Sequence, residues 1–205
     1  MKIEIINKIK QIIYPTMNIS LLMLMFSGLF NLKLLFYISC SILIAVFVTF
    51  IIIDRIKIYV VVSGGFDPVH IGHSRLFTEA KKLGTHLIVI LNNDNWLKDK
   101  KGYTFMPQSE RKELLLSHKA VNEVITTWHG RGDTDTSVCH IIDSLYKEKK
   151  INIFANGGDR KRKNTPEDKQ CKILNIKTVY NIGGNKIQSS SELTNKFKSK
   201  KQFKK

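Results

Sequence analysis

Twenty consecutive residues without a charge, LLFYISCSILIAVFVTFIII from Leu34 to Ile53, constrain this chain before anything else does. At 1.5 Å per residue, a helix of that length spans about 30 Å, the thickness of a bilayer's hydrocarbon core. A core helix of a soluble protein would interrupt the run with polar residues on one face. The run ends in Asp54-Arg55 rather than in small residues, so it does not read as a cleaved signal peptide. A shorter apolar stretch, Ile19 to Phe30, makes a possible second span over about 17–32, or else lies in the interface behind the Lys-containing start of the chain. Arg55 and Lys57 follow the longer span, and positive flanks stay cytoplasmic. Residues 1–56 are expected to be a membrane segment with its main span at about 34–53, holding a cytoplasmic domain against the bilayer.

Beyond that segment the pattern changes. Short β-branched runs at 57–63, 86–92, 123–127, 151–156 and 177–181 alternate with helix patterns near 72–83, 108–119, 137–149, 166–174 and 190–198. Uniformly apolar strands separated by helices indicate a parallel sheet covered on both faces. The expectation is an α/β domain over 57–196, a doubly wound, Rossmann-like five-stranded parallel sheet. Ligands of such sheets bind outside the carboxyl ends of the strands, which directs attention to the loops after Val62, Leu91, Thr127, Ala155 and Tyr180.

Lys and Arg number 33 against 17 Asp and Glu, a formal net charge of +16. That balance favours anionic partners such as nucleotides and phosphorylated metabolites. Residues 197–205 end a Lys-rich tail expected to be disordered. Cys40, Cys139 and Cys171 are odd in number and lack metal-ligand spacing, so neither a disulfide framework nor a zinc site is expected.

The stretch SGGFDPVHIGHSR, Ser63 to Arg75, carries the chemistry. Gly64 and Gly65 end the first strand, where glycine lets a ligand approach the main chain. The helix that follows offers free N–H groups and a positive dipole end to phosphate. His70 and His73 are three apart, so a helical first turn sets both rings on one side, able to donate to phosphate oxygens.

GGFDPVHIGH resembles the HxGH signature of the nucleotidyltransferase superfamily, in particular of cytidylyltransferase-like enzymes. KKGYTFMPQSER, Lys100 to Arg111, resembles the lysine loop and following arginine of glycerol-3-phosphate cytidylyltransferases. NGGDRKRKNTPE, Asn156 to Glu167, stands where that family and the sugar-phosphate adenylyltransferases carry a Gly-Asp segment. KIQSSSEL, Lys186 to Leu193, resembles the terminal Ser/Thr signature, although Gln188 separates Ile187 from the serines.

The resemblance implies transfer of a nucleoside monophosphate, CMP from CTP, to a small phosphorylated acceptor, with Mg²⁺ accompanying the triphosphate and pyrophosphate leaving. It implies catalytic roles for His70, His73, Lys101 (or its neighbour Lys100) and Arg111, the last as a bidentate clamp on acceptor phosphate. Gly64, Gly65, Phe66, Gly158, Asp159, Arg160, Ser189, Ser190 and Ser191 would bind the nucleotide; no protein-held metal site is expected. A homodimer is allowed for, and no specific nucleic acid is expected as partner. Two alternatives stay open: an adenylyltransferase acting on a sugar phosphate, and a non-catalytic membrane-tethered nucleotide binder.

Overall fold

A computed structural model describes residues 2–29, 33–157, 165–184 and 188–194. The chain divides into two compact units, Met1–Lys57 and Ile58–Lys205.

The first unit holds two helices, α1 (Lys2–Leu29) and α2 (Lys33–Arg55), packed against each other. The apolar stretch from Ile19 belongs to one continuous helix with the Lys-containing start. Two stretches of 21 residues, Ile6–Phe26 and Lys33–Ile53, are long and apolar enough to cross a membrane.

The second unit is a five-stranded, all-parallel sheet in the order β3-β2-β1-β4-β5. Its strands are β1 (Tyr59–Gly64), β2 (His86–Leu91), β3 (Glu123–Thr126), β4 (Ile153–Gly157) and β5 (Lys177–Ile182). Helices α3 (Ile71–Lys81), α5 (Gln108–Leu116), α6 (Cys139–Lys149) and α7 (Pro166–Ile173) connect them. Period-two alternation sorts the core onto two faces. Val60 and Val62 of β1 join Leu87, Val89, Phe77 of α3 and Leu115 of α5 on one side. Val61 joins Ile88, Ile90, Phe154, Ile141 and Leu145 of α6, and Cys171 of α7 on the other. Each Val, Leu or Ile removed from water contributes about 1.5–3 kcal/mol, which explains why β1 and β2 tolerate almost no polar residue.

One helix departs from the sequence reading. Asp94–Lys101 forms α4, though its sequence DNWLKDKK buries only Leu97. Caps hold it: the Asn93 side chain accepts from Trp96 N at 2.9 Å, and Gly102 closes the end with φ 79°. The chain runs outward from β1 in both directions, so β1 and β4 flank a topological switch point. In an open α/β sheet the crevice outside the carboxyl ends of those two strands receives the ligand.

Candidate active site

The crevice is present. A cavity of about 360 Å³ opens at the carboxyl ends of β1 and β4. Gly64, Gly65 and Phe66 form its floor, His70 and His73 one wall, and Lys100 and Lys101 another. Ser189 and Ser190 close it from the far end of the chain.

The two imidazoles are fixed by the backbone. His70 is the N-cap of α3, its Nδ1 accepting from Gly72 N at 3.1 Å. His73 reaches back, its Nδ1 accepting from His70 N at 3.3 Å. An Nδ1 that accepts carries no proton, so each neutral ring holds its hydrogen on Nε2. The rings stack at 3.7 Å with 24° between their planes. A Cβ at position 72 would meet His70 Cε1 at 2.9 Å, so only glycine lets that ring lie across the helix start. Burial keeps the pair uncharged. Burial pushes His73 down to about 3, with His70 and the Lys101 ammonium adding to the shift. Burial also lowers His70, partly opposed by the Glu192 carboxylate. At neutral pH the cavity therefore presents two N–H donors, not two cations.

Phe66 supports the pair from below. It holds a left-handed backbone, φ 49°, and its buried ring meets His73 edge-on at 4.9 Å. A Cβ at Gly64 would meet Phe66 Cζ at 3.0 Å, and one at Gly65 would meet Leu97 Cδ2 at 2.8 Å. Both glycines thus sit in close packing above β1, where a side chain would press on Phe66 or displace Leu97.

Distant loops are tied to this floor through Asp67. Its buried carboxylate accepts from Phe105 N at 2.9 Å and Met106 N at 2.7 Å, and its carbonyl accepts from Lys101 Nζ at 3.1 Å. Lys100 instead sets its Nζ 4.3 Å over the Trp96 ring. The last segment docks on the same loop: Ser190 Oγ donates to Pro68 O at 3.0 Å, and Tyr103 Oη donates to Thr194 Oγ1 at 2.9 Å. Ser189 Oγ accepts from Glu192 N at 3.2 Å, capping the helical turn over 190–194. Ser191 is not among the residues that line the cavity.

Arg111 needs a different account from the phosphate clamp expected of it. The side chain is fully buried and every nitrogen is engaged. Nε donates to Met106 O at 2.9 Å, Nη1 to Gly65 O at 2.6 Å and Asn92 O at 2.8 Å, and Nη2 to Asp94 Oδ1 at 2.5 Å. It braces the glycine floor, the end of β2, the start of α4 and the lysine loop, and presents no face to the cavity. Gly158, Asp159 and Arg160 lie outside the described residues, as do Lys186 and Ile187 and the tail.

Among the described residues, no group of three or more His, Cys, Asp or Glu could hold a metal ion. The donors at the cavity are imidazole, ammonium, hydroxyl and backbone amide, which suit phosphate oxygens and not a hard cation. Among the described residues these donors do not make a Mg²⁺ cage; the ion would fit as part of an incoming metal–triphosphate.

A second cavity of about 270 Å³ lies at the carboxyl end of β3, lined by Trp128, His129, Asp133, Thr134, Asp135 and His140. Trp96 links the two, lining the first cavity while its Nε1 donates to Thr136 O at 2.9 Å in the loop that forms the second. His140 Nε2 is buried there without a hydrogen-bond partner.

The sequence profile of the cytidylyltransferase-like family matches residues 61–192, from inside β1 to the helical turn that follows Ser189. The chain belongs to the cytidylyltransferase-like family. An FAD synthase of Pyrococcus horikoshii is 36% identical over 108 residues, 52% of this chain and 66% of that enzyme. The match therefore spans just under two thirds of that relative. A glycerol-3-phosphate cytidylyltransferase of Bacillus subtilis is 27% identical over 129 residues, 63% of this chain and 93% of that enzyme. The solved structure of a lipopolysaccharide core biosynthesis protein from Thermoplasma volcanium shares the fold, with TM-score 0.50, 24% identity, and coverage of 63% of this chain and 99% of that one. α1 and α2 fall outside the family match.

Replacing Arg111 by Lys keeps the charge but loses the planar fork, leaving buried carbonyls and Asp94 short of donors. The expected result is a loss of about 3 kcal/mol, the scale for breaking a buried ion pair. Urea denaturation of the full chain in detergent checks it, and an unchanged midpoint would contradict the bracing role.

Proposed function

We propose that this chain catalyses nucleotidyl transfer from a nucleoside triphosphate to a small phosphorylated acceptor, releasing pyrophosphate. The observation that carries the reading is the convergence on one cavity of two Nε2–H imidazoles, a lysine pair and the serines of a segment more than a hundred residues away. A phosphate oxygen of the acceptor attacks the α-phosphorus. A new P–O bond forms as the bond from the α-phosphorus to the bridging oxygen breaks, and pyrophosphate departs with that electron pair. The acceptor phosphate is already a nucleophile, so alignment and stabilisation of charge provide the catalysis. His70 and His73 donate to the phosphate chain, Lys101 neutralises charge on it, and Ser189 and Ser190 hold its far end beside the N-terminus of their helical turn.

CTP is the favoured nucleotide, supported by the family match and by coverage of nearly the whole Bacillus subtilis cytidylyltransferase. ATP is the second reading, favoured by the FAD synthase relative, since FAD contains an adenylyl group. The second cavity is assigned to the acceptor's non-phosphate end. An indole face beside Asp133 and Asp135 suits an ammonium or a polyol. The two apolar helices are proposed to tether a cytoplasmic catalytic domain to the membrane.

Pyrophosphate release, screened with CTP and ATP against glycerol, ethanolamine, choline and sugar phosphates and FMN, tests the reading. At least one pair should turn over, and His70→Ala should lower kcat about 10²–10³-fold, the scale for removing one oxyanion donor. Nucleotide binding without turnover, indifferent to His70→Ala, would instead mark a non-catalytic binder. Trp128→Ala should raise KM for the acceptor about tenfold, equivalent to about 1.4 kcal/mol, and leave KM for the triphosphate unchanged. Equal effects on both constants would remove the second cavity from the assignment.

A further inference from the structure

We infer that α1 and α2 cross the bilayer together as a helical hairpin, so that the start of α1 and the catalytic domain after α2 share one face of the membrane. The inference rests on the membrane tether proposed above and adds the number of crossings and their sense.

Three observations carry it. First, the helices pair antiparallel. Lys10 Nζ lies 5.9 Å over the Phe50 ring, which sets the first half of α1 beside the last part of α2. Ser20 and Ser39 are both buried, small residues of the kind that let two membrane helices approach closely. Each helix carries 21 residues apolar enough to span, so neither crossing is short.

Second, four hydroxyl groups within the helices bond back to their own backbone. Thr16 donates to Ile13 O at 2.8 Å, Ser39 to Leu35 O at 2.6 Å, Ser41 to Ile38 O at 2.8 Å and Thr49 to Ala45 O at 2.7 Å. In hydrocarbon an unpaired hydroxyl has no water to turn to, so this back-bonding is what lipid exposure requires. The exposed large side chains also argue for lipid over a second copy of the chain. Leu21, Leu22 and Met23 are successive and all exposed, as are Phe36, Tyr37 and Ile38. Successive residues point about 100° apart, so exposed apolar surface spans well over half of each helix, the remainder facing its partner helix. A partner chain would cover one stripe; a bilayer covers the whole outer surface of the pair.

Third, charge is asymmetric along the hairpin. Lys2, Lys8, Lys10, Arg55 and Lys57 cluster at the end where α1 begins and α2 finishes, against Lys33 alone where α2 begins. Loops richer in Lys and Arg stay cytoplasmic, so that end faces the cytoplasm. Lys10 sits within the apolar window and can extend its ammonium towards the interface past Phe50.

The test uses the full chain in membranes of an expressing bacterium, with Cys40→Ala and Cys139→Ser removing the accessible thiols and the buried Cys171 left in place. Single cysteines are introduced as Lys2→Cys, Lys33→Cys and Lys57→Cys. A membrane-impermeant maleimide should label Lys33→Cys only in right-side-out vesicles, and the other two only in inverted ones. Alkaline carbonate should leave the protein in the pellet. Lys2→Cys and Lys57→Cys reacting from opposite faces would overturn the hairpin while leaving a single-span tether. All three reacting from the inner face would overturn it in favour of helices lying in the interface. Release by carbonate would overturn both tether and hairpin.

Discussion

Two stacked histidine rings repel one another if both are charged, and in this protein the backbone holds each in a neutral form. Each Nδ1 accepts from a main-chain amide at the start of α3, which commits both rings to the same tautomer and aims both remaining N–H groups away from the helix. The amides that do this are among those a helix start leaves unpaired. The rings therefore satisfy the helix while the helix orients the rings. The glycine between them follows from the same geometry, because a side chain there would occupy the space of the first ring. A pair of neutral donors avoids the cost of burying two like charges, yet it can still meet a polyanion with directed hydrogen bonds.

The remaining residues at the cavity come from loops that have no local reason to stay put. Asp67 and Arg111 give them one. Asp67 gathers the lysine loop from above, through two backbone amides and its own carbonyl, and Arg111 gathers it from below, through Met106 O and Gly65 O. Both are charged and buried, and each is matched by several partners, which is the condition under which a buried charge is tolerated. Serines from the last segment then close on the same loop through Pro68 O.

Much of this was legible in the sequence. The strand after residue 57, the paired glycines and HIGH give a strand–turn–helix unit whose period and spacing are local, and the structure follows them closely. β2, expected over 86–92, spans His86–Leu91 for the same reason: its apolar run can only be buried. α4 was not legible, because its stability comes from caps and one buried leucine and not from an apolar stripe; Asn93 and Gly102 were the available signals. Arg111 shows why roles are harder to read than elements. A lone arginine after a lysine loop has the composition of a phosphate clamp, and only its burial and its bonds to Met106, Gly65, Asn92 and Asp94 reveal a brace. Asp67 makes the same point: its partners, Phe105 and Met106, lie too far along the chain for spacing to show. In the serine run, helix phase decides: Ser189 and Ser190 face the cavity, while Ser191 falls outside its lining.

The claim on which the rest stands is that His70 and His73 are neutral Nε2–H tautomers in the protein without nucleotide. Nitrogen-15 NMR of the histidine side chains, followed from pH 8 to pH 5, measures it directly. The account predicts that both rings show protonated Nε2 and bare Nδ1 at pH 7, and that His73 remains neutral throughout, its burial holding it near 3. Titration of both rings close to the ordinary histidine value, about 6.5, or an Nδ1–H tautomer in either, would contradict it.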